Sequence, residues 1–469
     1  MDKITLKGVK KIYFVGIGGT SMSGLAMMSQ LNGFEVSGSD MRACSYTDKL
    51  EEKGITVHIG HAAENVPKNA DMLVYSAAIH MDNIEIVTAV SYGITLVERS
   101  HFLGLLSEFY PDTIAVSGTH GKTTTSSLTA MTLLNAGLDP SISVGGTIKQ
   151  INANSRVGHS EHFVIEACEF VDSFLHTKHK IGVILNIDED HLDYFTGGIE
   201  QITESFRRFA MILPEDGYLA ANGDDENVLK IIPDVIAEVE TFGLGEGNYW
   251  RAENIKYDDL GRPTYDVTMG GKYYDTFTLR IPGAHNVSNS LSVIAVAHRL
   301  GIDNKYLHQT FDEFDGAKRR FELEGEVNGI KVFEDYAHHP KELEVTIAAC
   351  KNYKHDKLYV VFQPHTYSRT FLLLDRFVNA FALADEVVLN NIYSDRETNE
   401  KWNVYSEDIM EKVIERFHIP TRVISEFPDI VNYLTEKAKP GDIVLVAGSQ
   451  SINQVAADMI TALEGKYGK

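Results

Sequence analysis

Short apolar runs that end in glycine or an acid, each followed by a longer stretch of mixed polarity, recur along this chain and predict alternating strands and helices. Lys11–Gly16 (KIYFVG) is the first such run, and the small-residue stretch to Gln30 after it fits a helix. Phe34–Ser37 predicts a second strand ending at Gly38-Ser39-Asp40, with further strands at Asp71–Ser76 and Ile94–Val97. The alternation restarts at Thr113–Ser117 (TIAVS), with a helix to about Ala136 and buried strands at Phe163–Glu166 and Gly182–Asn186. Between Gly245 and Lys272 the pattern turns polar and alternating, as a small antiparallel insert would be. After Arg320, Lys331–Asp335, Leu358–Gln363, Glu386–Asn390 and Asp442–Ala447 read as strands, with a helix at Pro340–Cys350. Alternation of this kind builds parallel sheets covered by helices, so the fold class is α/β. The restarts divide the 469 residues into three domains, 1–108, 109–318 and 319–469.

Charge narrows the function classes. Against 66 Asp and Glu stand 43 Lys and Arg, a formal −23, which argues against a nucleic-acid-binding surface. A local phosphate site stays open, because backbone amides and a few cations can hold an anion within an acidic protein. Met1–Lys11 is charged and alternating, unlike a signal peptide, and no apolar run reaches the roughly 18 residues of a membrane span. The three cysteines, Cys44, Cys168 and Cys350, are too widely spaced for a zinc motif or a disulfide framework, and a reducing cytoplasm is the expected compartment.

Two glycine loops carry the candidate chemistry. Gly16-Ile17-Gly18-Gly19-Thr20-Ser21 follows the first strand, but Ser21 stands where a dinucleotide loop has its third glycine. Asp40 lies 24 residues after Gly16, where a ribose-binding acid could sit; NAD and a UDP-sugar both fit this local pattern. Gly118-Thr119-His120-Gly121-Lys122-Thr123-Thr124 is a shortened phosphate loop, strand before and helix after. Its amides would surround phosphate oxygens, Lys122 would reach the terminal phosphates and Thr123 would ligate Mg²⁺. Glu166 closes one strand and His191 follows another, both expected at the same sheet edge beside the loop, where a metal site could form.

Together GIGGTSMSGLA from Gly16, GTHGKTTT, NIDEDHLD, AHNVSNSL, RRFE, DYAHHP and QPHTYSRT resemble the ATP-dependent Mur ligases of peptidoglycan synthesis, through all three domains. The resemblance implies a Rossmann-like N-terminal domain for a UDP-sugar, a central P-loop ATPase domain with a mostly parallel sheet, and a Rossmann-like C-terminal domain closing over an amino acid. It implies ATP and Mg²⁺, with UDP-N-acetylmuramate and L-alanine as small-molecule substrates, and neither nucleic acid nor membrane insertion. Gly16, Gly18, Gly19, Ser21 and Asp40 would serve the UDP-sugar. Thr123 and Glu166 would hold one Mg²⁺ and His191 a second, and His285, Asn286 and Asn289 would hold the adenine. Lys122, Arg320 and Asp335 would reach the nucleotide. His338 and His339 are candidates for the base that frees the amine, His338 first, with His365 near them in the motifs; His338, His365 and Arg369 would bind the amino acid, Arg369 as the fork on its carboxylate. Two positions depart from the commoner family pattern: Cys168 replaces an acid in Glu166-Ala167-Cys168-Glu169, and Thr366 replaces an arginine.

Overall fold

The structure, a computed structural model, describes residues 4–76, 78–192, 194–258, 261–316, 319–394 and 397–468; Asp193 of NIDEDHLD and the junction residue Lys318 lie outside them. The chain separates into two compact units, residues 1–187, 203–242 and 292–307 in one, and 188–202, 243–291 and 308–469 in the other.

The first unit opens with five parallel strands, β1 (Lys11–Val15), β2 (Glu35–Asp40), β3 (Thr56–Ile59), β4 (Met72–Tyr75) and β5 (Thr95–Glu98), in the order β3-β2-β1-β4-β5. The chain leaves β1 with β2 on one side and β4 on the other, so the Gly16 loop sits at the point where strand order reverses, the usual ligand crevice of such sheets. The second strand ends at Gly38-Ser39-Asp40, as its sequence predicts, and carries Gly38 inside β2. The reason is close packing: a Cβ on Gly38 would lie 2.4 Å from the Phe14 carbonyl, so glycine here admits the neighbouring backbone.

The same unit carries β6 (Asp112–Ser117), β7 (Ser141–Ile148), β8 (Ala153–Arg156), β9 (His162–Glu166), β10 (Ile181–Ile184), β11 (Tyr218–Asn222) and β12 (Glu238–Gly243), in the order β12-β11-β10-β6-β9-β7-β8. All these pairings are parallel except β7 with β8. The centre, β6, is buried along five of its six residues and delivers the second glycine loop. One apolar core joins β1, the helix Arg99–Ser107 and β9: Phe14 meets Phe102 edge-on at 5.5 Å, and Tyr110 lies 4.8 Å from Phe163.

In the second unit the polar stretch is an antiparallel ribbon, β13 (Trp250–Tyr257), β14 (Pro263–Met269) and β15 (Lys272–Thr278), so the insert runs past its expected end at Lys272. The remaining sheet has β16 (Glu322–Val327), β17 (Ile330–Asp335), β18 (Leu358–Phe362), β19 (Glu386–Leu389), β20 (Thr421–Val423) and β21 (Ile443–Ala447), in the order β16-β17-β21-β18-β19-β20. Only edge strand β16 is antiparallel. Asp335 therefore ends β17 at the same carboxyl edge from which the chain leaves β18 toward His365 and Arg369. Among the described residues no helix is long and apolar enough to cross a membrane.

Candidate active site

The first glycine loop is held by β2. Ser39 O accepts from Gly16 N at 2.8 Å and from Ile17 N at 2.9 Å, and Asp40 Oδ2 accepts from Gly18 N at 2.9 Å. Asp40, expected at a ribose, here fixes the loop. The amides left for an anion are those of the first turn of the helix Thr20–Leu31, which no helix satisfies internally; Ser21 sits in that turn. Close helix packing falls not at Ser21 but at Gly24, where a Cβ would meet Ser155 at 2.5 Å.

The second loop turns on two glycines with positive φ, Gly118 at 143° and Gly121 at 82°, a conformation that L side chains resist. Its other side is pinned by Asn186, which accepts from His120 N at 2.8 Å and donates to His120 O at 3.0 Å. The turn starts the helix Lys122–Asn135 at the lysine. Lys122 Nζ donates to Gly118 O at 2.5 Å and Thr119 O at 2.9 Å, and pairs with Glu169 at 2.9 Å. Burial pulls this ammonium toward neutrality, but Glu169, with Cys168 and Glu166 beyond it, carries its pKa above the ordinary lysine range. Burial also pushes the Cys168 thiol up to about 11, so the cysteine stays protonated and unreactive at neutral pH.

Thr123 Oγ1 donates to Glu166 Oε1 at 3.0 Å, and Gly145 N to Glu166 Oε2 at 2.6 Å. A Cβ on Gly145 would lie 2.5–2.8 Å from that carboxylate, so the missing side chain is what leaves room around it. A hydroxyl facing a carboxylate is a hard oxygen pair, and it fits Mg²⁺.

In the second unit, His191 has φ 51° and its carbonyl accepts from Tyr194 N and Phe195 N, both at 2.9 Å. His285, Asn286 and Asn289 share the first turns of the helix Ala284–Arg299; the Asn286 amide donates to Pro282 O at 2.7 Å, and Asn289 is buried. Arg320 sits between two residues with positive φ, Arg319 and Phe321. Arg319 anchors this turn by pairing with Glu334 and donating to Gly448 O and Gln450 O, both at 3.0 Å. Asp335 holds the other side, accepting from Phe321 N at 2.8 Å, Ala337 N at 2.7 Å and Thr346 Oγ1 at 3.2 Å. Burial raises the Asp335 pKa to about 6, with Arg320 opposing and Glu342 adding to the rise.

The histidines separate by environment. His339 is fully buried, caps the helix Pro340–Cys350 through Lys341 N and bonds Glu189 O at 2.8 Å, which makes it structural. His338 keeps 19% of its side chain exposed, and its ring lies 6.2 Å from that of His365. Burial holds its pKa below the ordinary histidine value, against Glu342 and with the help of Arg369, so the ring is neutral and able to take a proton. Arg369 directs Nε and Nη2 at Asp190 Oδ1, at 3.1 and 2.8 Å, and Nη1 at His365 O at 2.7 Å. Its guanidinium edge thus already grips a carboxylate, Asp190, held well below the usual carboxylate range against the cost of burial, by Arg369 first and then His191. Asp190, His191, Thr366, Ser368, Arg369 and Leu373 line one pocket.

The expected residues therefore gather as local groups: Gly118–Thr124 with Glu166, Arg320 with Asp335, and His191, His338, His365 and Arg369 with one another. Four partners escaped the motif reading: Glu169, Asp190, Arg319 and Gly145. The first two were signalled only as acids inside motifs already singled out.

Three family descriptions match the chain: "Mur ligase family, catalytic domain" over residues 11–111, "Mur ligase middle domain" over 116–297 and "Mur ligase, glutamate ligase domain" over 319–450. A UDP-N-acetylmuramate–L-alanine ligase of Caldanaerobacter subterraneus subsp. tengcongensis is 44% identical over 453 residues, 97% of this chain and 98% of its own. A ligase of the same description from Alkaliphilus metalliredigens is 44% identical over 448 residues, 96% of each chain. Among solved structures, the UDP-N-acetylmuramate–alanine ligase of Thermotoga maritima superposes with a TM-score of 0.78 at 26% identity, covering 97% of this chain and 99% of that one. The murein peptide ligase of Psychrobacter arcticus gives 0.68 at 26% identity, covering 97% and 98%. With all three sheets, the phosphate loop and the motifs matched along nearly its whole length, the chain belongs to the Mur ligase family.

Proposed function

We propose that this protein is an ATP-dependent ligase joining L-alanine to the carboxylate of UDP-N-acetylmuramate, a cytoplasmic step of peptidoglycan synthesis that serves the cell wall. The observation that carries the reading is 44% identity, over 97% of the chain, to a relative of that description. The functional divisions are 1–108 for the UDP-sugar, 109–318 for ATP and 319–469 for the amino acid.

The muramate carboxylate attacks the γ-phosphate of ATP, giving an acyl phosphate and ADP. The amine of alanine then attacks the acyl carbon, and phosphate leaves. Charge develops on the transferred phosphoryl oxygens, where Lys122 and Arg320 act; catalysis of such steps is mostly positioning and charge stabilisation. Gly118–Thr124 wrap the phosphates, while His285, Asn286 and Asn289 hold the adenine. Asp335 serves the nucleotide by fixing the turn that presents Arg320. Thr123 and Glu166 would hold one Mg²⁺ and His191 would ligate a second, which supply charge neutralisation when bound. Gly16, Gly18, Gly19, Ser21 and Asp40 shape the UDP-sugar site, its diphosphate meeting the helix N-terminus. His338, neutral, takes the proton from the incoming amine. His365 lies beside Arg369, whose fork takes the alanine carboxylate in place of Asp190.

The murein peptide ligase likeness favours a second acceptor, a preformed peptide. Incubation with ATP, UDP-N-acetylmuramate and either single amino acids or a tripeptide separates the two. ADP release with alanine is expected; turnover with the tripeptide alone would overturn the assignment.

A further inference from the structure

Glu85 lies in the first turn of the helix Ile84–Ser91, a place where a carboxylate usually faces water, yet its side chain is 0% exposed. A buried carboxylate needs donors. Oε1 accepts from Asn65 Nδ2 at 2.8 Å, Tyr13 OH at 3.2 Å and Ala62 N at 3.2 Å. Oε2 accepts from Ser39 Oγ at 2.5 Å and lies 2.9 Å from His61 Nδ1. One side chain thereby ties β1, β2 and the segment after β3 to the helix.

The Ser39 contact is the consequential one. The Gly16–Gly19 loop has only one side chain besides its glycines, so its shape depends on what its amides bond. Ser39 O takes two of those amides, and Asp40, the next residue, takes a third. We propose that Glu85 is a positioning residue for UDP-sugar binding: through the Ser39 hydroxyl it fixes the end of β2 that holds the Gly16 loop and so aims the first turn of Thr20–Leu31 at the diphosphate. This rests on the UDP-sugar reading above.

The test compares Ser39→Ala, Glu85→Gln and Tyr13→Phe in the full-length protein, with KM for UDP-N-acetylmuramate, KM for ATP, kcat and thermal midpoint read for each. Ser39→Ala removes the link to the loop and leaves the other donors to Glu85 in place. It is expected to raise KM for the UDP-sugar about five- to tenfold, a loss typical of one charge-assisted hydrogen bond, with kcat and KM for ATP unchanged. Glu85→Gln should shift the same constant further. Tyr13→Phe removes a donor from the other carboxylate oxygen and a hydroxyl that also reaches Ser39, so it should lower the midpoint and raise KM less than Ser39→Ala does. An unchanged KM in Ser39→Ala, or an equal rise in Tyr13→Phe, would overturn the proposal. Calorimetric binding of the UDP-sugar follows the same order whether or not ligation occurs. Wild-type binding without turnover therefore defeats the ligase reading alone, whereas wild-type turnover with no KM shift in Ser39→Ala defeats this one alone.

Discussion

The pairing of Lys122 with Glu169 makes a quantitative prediction. Lys122 is 13% exposed, Glu169 2%, and their atoms are 2.9 Å apart. Removing one partner of a buried pair costs about 3–5 kcal/mol, because the remaining charge keeps its desolvation cost and loses its compensation. Glu169→Gln leaves the ammonium two carbonyl acceptors, Gly118 O and Thr119 O, so the lower end applies, about 3 kcal/mol. Lys122→Met strands Glu169 and should cost a similar amount. The double variant strands neither charge, and its loss should fall about 2–3 kcal/mol short of the sum. Urea unfolding of the full chain reads this: at a slope of about 3 kcal/mol per molar, each single variant moves the affected midpoint by about 1 M. The loss should hold across neutral pH. A lysine whose pKa is raised on folding contributes fully below its unfolded value, about 10.4, and loses that contribution only as pH climbs through the higher folded value. Additivity within about 0.5 kcal/mol would show that the two charges do not sustain each other.

Other outcomes follow from the same geometry. Gly145→Ala places a methyl against the Glu166 carboxylate; like Glu166→Gln, it should raise the Mg²⁺ concentration for half-maximal ADP release several-fold, and an unshifted metal titration would remove Glu166 from the ligand set. Arg369→Lys keeps the charge but loses the planar fork, so KM for alanine should rise about 10–100-fold, the worth of a charged bidentate contact, with KM for ATP unmoved. Asp335 titrates near 6 when folded and near 3.9 when unfolded, so the folded state holds its proton longer and stability falls as pH rises between those values. The whole fall amounts to about 2–3 kcal/mol, of which about 2 lies between pH 4.5 and 6.5, and Asp335→Asn should abolish it when urea midpoints are compared at those two values.

What the sequence made legible were elements whose burial is one-sided or complete. KIYFV, TIAVS and LYVVF sit at or near sheet centres, and their apolar runs leave no other reading. Pro340–Cys350 was readable at its start because proline occupies its first turn. Thr56–Ile59 and Thr421–Val423 are edge strands, half-buried or exposed, so their composition carries no core signal. Tyr218–Asn222 hides for another reason, since YLAAN with two alanines suits a helix as well as a strand until its parallel neighbours are known. The role of Gly38 was hidden as well: composition does not show that it admits the Phe14 carbonyl as a close backbone contact inside β2. At the site, the residues that motifs announce are those a ligand would touch, whereas the groups that hold them are decided by long-range contact. Lys122 meets Glu169 across 47 residues, Arg369 meets Asp190 across 179, and Arg319 meets Gln450 across 131. Each such partner is an ordinary acid or carbonyl whose role exists only once the sheets bring it within 3 Å. Motif spacing therefore identifies the chemistry, and the fold alone identifies what keeps each reacting group charged, neutral or in place.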